Sequence, residues 1–145
     1  APNGAGWNNS PVTVTWSCSD ALSGPVSPMV TQTVATEGAN QSATATCTDL
    51  AGNTASKTQT GINIDVTPPQ IQFVSPANGF SYLHDIKIAA SYTCSDGLSG
   101  VATCSGTVAN GTSMTLGSIG TFSFTVTATD RAGNQTVVTH NYSVH

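Results

Sequence analysis

The sequence predicts an all-β chain made of two antiparallel β-sandwiches in tandem. Three observations carry this expectation. Apolar residues recur with period two, a set of landmarks is written twice, and four cysteines stand where small β domains need staples.

The strands follow in order. In "PVTVTWSC", Val12, Val14, Trp16 and Cys18 share one face, while Thr13, Thr15 and Ser17 share the other. Alternation of this kind buries one row and wets the other, which makes Trp16 a core residue beside Cys18. "DIKIAASYTC" reads as one further strand, with Ile86, Ile88, Ala90, Tyr92 and Cys94 inward and Lys87 outward. In "TFSFTVTATD" the inner row is Phe122, Phe124, Val126 and Ala128, and every outer position is Thr or Ser. No stretch sustains a helical period. Short strands punctuated by Gly, Asn, Pro and Ser point to antiparallel sandwiches.

The landmarks come in two copies. "TWSCSDALSG" (15–24) matches "SYTCSDGLSG" (91–100), and "ATCTDLAGN" (45–53) matches "VTATDRAGN" (126–134). Between the copies lies "DVTPPQI", whose paired prolines donate no ladder hydrogen bonds and stiffen the chain. This linker divides the sequence into domains at 1–66 and 67–145. Domains of this size have marginal cores, and the cysteines supply what is missing. Cys18 and Cys47 both fall on inward positions. In the second copy Ala128 replaces the later cysteine and Cys104 is the spare one. The simplest pairing is Cys18–Cys47 with Cys94–Cys104. Four cysteines permit three connectivities, so a bridge between copies stays open. None forms a Cys-x-x-Cys pair, and His84, His140 and His145 are scattered, so disulfides are favoured over zinc.

Composition narrows the function classes. Ser and Thr make up 40 of 145 residues, against only three basic and seven acidic side chains. The surface is therefore polar through hydroxyls and amides. With two Lys and one Arg there is no basic stripe for nucleic acid and no attraction to anionic membranes. No apolar run is long enough for membrane insertion. "APNGAGWNNSP" lacks the regions of a signal peptide, which suggests a removed leader or excision from a longer protein. The cysteines point to a secreted or cell-surface location.

"GWNNSPVTVTWSCSD", "TATCTDLAGNTAS" and "INIDVTPP" resemble the bacterial Ig-like repeats of secreted and cell-surface proteins. "CSDGLSGVATCSGTVANG", "GTFSFTVTATDRAGN" and "VTHNYSV" look like another branch of that group, and HYR-type modules share the Asp-x-Thr-Pro-Pro linker. The resemblance implies two immunoglobulin-like sandwiches from a longer extracellular protein: a stalk, an adhesin region or an enzyme appendage. Its partners would be neighbouring domains, surface glycans or copies of itself, the last as a self-assembling fibre subunit. The two cysteine patterns differ, which makes the copies relatives rather than recent duplicates.

Asp-x-Ala-Gly-Asn, at Asp49 and again at Asp130, reads first as a hairpin turn. Asp accepts a hydrogen bond from the backbone two residues on, Gly takes a positive φ, and Asn tolerates the strained position beside it. The rival reading is calcium. Asp20 and Asp49 fall at one end of the first copy, Asp96 and Asp130 repeat that placement in the second, and Asp65 in the linker could join one of these pairs. Trp7, beside Asn8 and Asn9, is a candidate carbohydrate platform or a cap on the sandwich end. His140 lies between Val138 and Tyr142 and reads as a structural residue. Glu37 is the only glutamate, which excludes a Glu–Glu pair, and no nucleophile motif is present. Lys87 faces outward and Lys57 lies in a polar run, which argues against an isopeptide crosslink. Sequons stand at Asn40, Asn110, Asn134 and Asn141. The expected function is a non-catalytic spacer, with a calcium-rigidified or weakly sugar-binding module as the alternative.

Overall fold

Hydroxyl-rich antiparallel pairs build the first part of the chain. In the computed structural model, which describes residues 1–145, Val12–Ser17 (β1) pairs antiparallel with Met29–Val34 (β2), and Gly38–Thr48 (β3) pairs antiparallel with Thr54–Ile64 (β4). The inward rows meet as the alternation requires. Ala43, Ile62 and Ile64 are buried, and Val12, Val14, Trp16 and Val34 pack onto them. Trp16 is half-buried rather than sealed. Facing hydroxyls join across the strands, Thr13 to Thr33 at 2.8 Å, Thr44 to Thr58 at 2.7 Å and Thr46 to Ser56 at 2.7 Å. These cross-strand pairs take the place that ion pairs hold on more charged sheets.

The second part is built from eight strands: Gln70–Ser75 (β5), Ser81–Tyr82 (β6), Lys87–Ala89 (β7), Ser91–Ser95 (β8), Val101–Gly106 (β9), Ser113–Thr115 (β10), Gly120–Asp130 (β11) and Gln135–Val144 (β12). The largest sheet runs β6-β12-β11-β9, with β5–β8 and β7–β10 as separate antiparallel pairs. Its core is Ala90, Tyr92, Phe124 and Val126, with Ile71, Phe73, Met114 and Tyr142 packed around it. At Gly106 the backbone passes close against this core. A Cβ there would lie 2.7 Å from the Tyr92 ring and 2.8 Å from that of Phe124.

The chain divides into two compact units, Ala1–Val66 and Thr67–His145. The architecture is all-β, without helices, and its sheets are small. One expected element is corrected. The continuous strand expected over 86–94 breaks at Ala90, whose N–H donates to Thr112 O at 2.9 Å and whose carbonyl accepts from Gly111 N at 2.7 Å. The 109–112 turn thus occupies Ala90 on both sides of its peptide, and the chain passes there from the β10 partnership to the β5 partnership. Alternation survives the break, since Ile88, Ala90, Tyr92 and Cys94 all remain inward.

Each unit carries its own disulfide. Cys18–Cys47 ties the end of β1 to β3 with Cα atoms 5.8 Å apart, and Cys94–Cys104 ties β8 to β9 at 5.9 Å. No cysteine is free, and two such bridges fit an oxidising compartment. No helix is long and apolar enough to cross a membrane.

Candidate functional site

Two hairpins present the repeated Asp-x-Ala-Gly-Asn phrase. At the β3–β4 turn, Asp49 N–H donates to Asn53 O at 2.9 Å and Gly52 N–H donates to Asp49 O at 3.1 Å, with Gly52 at φ 92°. The β11–β12 turn repeats this, Asp130 N–H donating to Asn134 O at 3.0 Å and Gly133 standing at φ 98°. That is the left-handed region for which glycine is suited.

The side chains do more than the turn reading requires. Asp49 Oδ1 accepts the Asn53 N–H four residues on at 2.8 Å, and Asn53 Nδ2 donates to Asp49 Oδ2 at 2.7 Å. Asp130 accepts from the N–H of Gly133 at 2.7 Å and of Asn134 at 2.8 Å, and Asn134 Nδ2 donates to its Oδ2 at 2.8 Å. Neither Asn takes a positive φ. The glycine alone bends the backbone, which brings the Asn amide back onto the carboxylate as a lock. The expected bond two residues on is present as well, from the Ala51 N–H to Asp49, and it recurs in the Asp-x-Leu-Ser-Gly loops, Leu22 N–H to Asp20 at 3.1 Å and Leu98 N–H to Asp96 at 3.0 Å.

These four aspartates come together in twos. Asp20 and Asp49 line a cleft of about 200 Å³ beside the Cys18–Cys47 bridge, with Pro25 and Asn53. The Leu22 N–H holds the Asp20 pKa below 3.8 despite repulsion from Asp49. The Asn53 side-chain amide is the main cause that lowers Asp49. In the second unit, carboxylate oxygens of Asp96 and Asp130 approach within 4.8 Å. Asp130 is buried, as is Asp65, whose N–H donates to Asn8 O at 2.9 Å.

Calcium takes about six to eight oxygens. Asp96 and Asp130 together bring two carboxylates, and both oxygens of Asp130 already accept hydrogen bonds inside its turn. Asp20 and Asp49 are engaged in the same way. Neither pair by itself makes a calcium cage.

The remaining candidates have structural surroundings. Trp7 is half-buried, and its backbone N–H donates to Asn3 Oδ1 at 3.1 Å. His140 stacks on Phe73 with ring centroids 3.8 Å apart, and its Nδ1 lies 2.8 Å from Pro76 O. Glu37 accepts the Val66 N–H at 2.7 Å. Lys57 and Lys87 are exposed.

Two features were not read from the sequence. One is an aromatic group running Phe80, Tyr82, Tyr142, Phe122, with successive centroids 4.7, 5.8 and 5.7 Å apart. It forms because Tyr142 stands directly opposite Phe122 in the β11–β12 register. The other is a parallel pairing inside each unit. Asn8 bridges Ile64 in parallel, and β6 runs parallel to the end of β12. Local patterning carries no signal for a pairing between segments so distant in sequence. Compared with known proteins, the chain matches no family model and no curated sequence.

Proposed function

We propose that the chain is a non-catalytic spacer: two immunoglobulin-like β-sandwiches in series that hold another part of a larger extracellular protein at a distance, as a stalk, an adhesin region or an enzyme appendage. The observation that carries this reading is the parallel pairing of an early segment of each unit with its last strand. In the first unit Asn8 N–H donates to Asn63 O and Asp65 N–H to Asn8 O, both at 2.9 Å, and Asn63 Nδ2 donates to Gly6 O at 3.0 Å. In the second, Ser143 N–H donates to Phe80 O at 3.0 Å, His145 N–H to Tyr82 O at 3.0 Å and His84 N–H to His145 O at 2.8 Å. Tension along the chain pulls parallel neighbours in opposite directions along their length. Their hydrogen bonds are then sheared together instead of being peeled one at a time. In the second unit the load reaches this clamp once β5 has left β8.

Resistance to forced unfolding is set by the unfolding rate, which such a clamp slows. Pulling the full chain from its two ends in a single-molecule experiment tests the reading. Two separate force peaks are expected, one per unit. Smooth extension of both units at low force would falsify it.

A second reading, a calcium-rigidified adhesin segment, is favoured by the approach of Asp96 and Asp130 within 4.8 Å. It requires further oxygens beyond that pair. Calcium that binds only the native state at one hundred times its Kd adds about 2.7 kcal/mol. A melting temperature that rises with calcium supports this reading, and an unchanged one leaves the spacer.

A further inference from the structure

We infer that the outer edge of β1 is a docking slot for one further β-strand, uncharged and apolar at alternate positions, supplied from outside residues 1–145. β1 pairs with β2 alone. Just past its end, Cys18 N–H donates to Pro28 O at 2.9 Å on the β2 side, and along a strand successive N–H groups point to opposite edges. The backbone groups of Thr13, Thr15 and Ser17 therefore face away from β2, and no strand of the first unit lies along them. The early segment runs beside β4 instead, where Asn8 bridges Ile64.

The second unit shows what the same edge takes. Ser91, Tyr92, Thr93 and Cys94 match Thr15, Trp16, Ser17 and Cys18. Tyr92 N–H donates to Asn110 Oδ1 at 2.9 Å, so Ser91 and Thr93 present their backbone to the opposite edge. β5 occupies that edge, antiparallel, with Gln72 against Thr93 and Ser75 against Ser91. Its sequence, "QIQFVS", carries no charge, and Ile71 and Phe73 pack from it against the core. The Phe73 ring centroid lies 5.3 Å from that of Phe124 and 6.2 Å from that of Tyr92.

In the first unit the matching place is a cleft of about 220 Å³ lined by Trp16, Cys18, Ala45, Cys47 and Ala55, with Lys57 its one charged residue. Its walls are less covered than their counterparts. Trp16, Ala45 and Cys47 are half-buried, whereas Tyr92, Val126 and Ala128 at the matching positions are 3%, 0% and 0% exposed. A strand laid on β1, with apolar side chains where β5 has Ile71 and Phe73, completes the ladder and the core together. Edge strands are commonly guarded by charge or proline, and β1 has neither.

Amide hydrogen exchange by NMR on the full chain tests this, with an acetylated and amidated peptide of residues 67–76 as the probe. At about ten times its Kd the peptide should slow exchange at Thr15, Ser17 and Ser19 about tenfold, as the free fraction of the chain falls. Phe73→Ala in the peptide should weaken binding about tenfold to a hundredfold, the size of one buried aromatic side chain. Thr15→Pro in the chain removes an outward N–H and spares the bonds to β2, and Ala45→Leu fills the cleft. Each should abolish the slowing while Val14 and Trp16 stay protected. The inference is overturned if the peptide slows none of these amides, if Phe73→Ala binds as well as the parent peptide, or if protection falls on Ser91–Ser95 instead. It is equally overturned if the free chain sediments as a dimer with Thr15 and Ser17 already protected, since the edge then belongs to a second copy's β1.

Discussion

Asn134 grips Asp130 twice, its backbone N–H donating to Oδ1 at 2.8 Å and its side-chain amide donating to Oδ2 at 2.8 Å. Asn53 and Asp49 repeat the grip at the other hairpin, with one difference: Asp130 is 2% exposed, whereas Asp49 is only half-buried. Removing the Asp130 carboxylate strands three donors in a site that water barely reaches. Asp130→Ala is therefore expected to lower the unfolding free energy by about 3 kcal/mol. Asp49→Ala should cost distinctly less, because water replaces the lost acceptor. Urea unfolding of both variants checks the order.

Acid should weaken the first unit. Asp49 and Asp20 both have folded-state pKa values below 3.8, chiefly through the Asn53 amide and the Leu22 N–H respectively. Between the folded and unfolded values the unfolded chain binds more protons, so stability there rises with pH. Their contribution is present above the unfolded pKa and is lost as pH falls through the lower folded one. Denaturation midpoints taken down through this range should fall, and the slope should be shallower for Asp49→Asn.

Reduction should separate the units. Cys18–Cys47 closes 29 residues and Cys94–Cys104 closes 10. On the chain-entropy relation these bridges contribute about 3.6 and about 2.7 kcal/mol. The first unit also has the smaller core, Ala43, Ile62 and Ile64 against Phe124, Val126, Tyr92 and Ala90. Reductant should therefore unfold residues 1–66 while 67–145 stay protected, as hydrogen exchange by mass spectrometry reports.

Gly106→Ala should destabilise the second unit by about 1–3 kcal/mol, the usual range for overpacking. The added methyl meets two ring edges at once, and both rings are held by the core. The shift should shrink without vanishing in Gly106→Ala combined with Tyr92→Leu, since the Phe124 contact remains, which a double-mutant cycle in thermal unfolding measures.

Period-two alternation made the strands legible. The inward rows of β1 and β11 follow it residue by residue, down to Phe124 and Val126, both buried in the second core. Both disulfide partners were readable because Cys18 and Cys47 share the inward phase and Cys104 was the one cysteine left for Cys94. The break at Ala90 was not readable, since it depends on the 109–112 turn supplying both hydrogen bonds to one peptide, and alternation continues across it. Asp130 and Asn134 were recognised as a turn, but their sequence does not reveal that the amide reaches back to the carboxylate.

The paired hydroxyls across the strands have a consequence for the medium in which this fold survives. Ionic strength acts through charge, and at physiological salt its reach is about 8 Å. Ten charged side chains among 145 residues give it little to act upon. Thr13–Thr33, Thr44–Thr58, Thr46–Ser56 and Thr125–Thr139 are neutral dipoles in contact, which dissolved ions do not screen. A module knitted in this way owes little of its cohesion to charge, so screening by dissolved salt takes little from it.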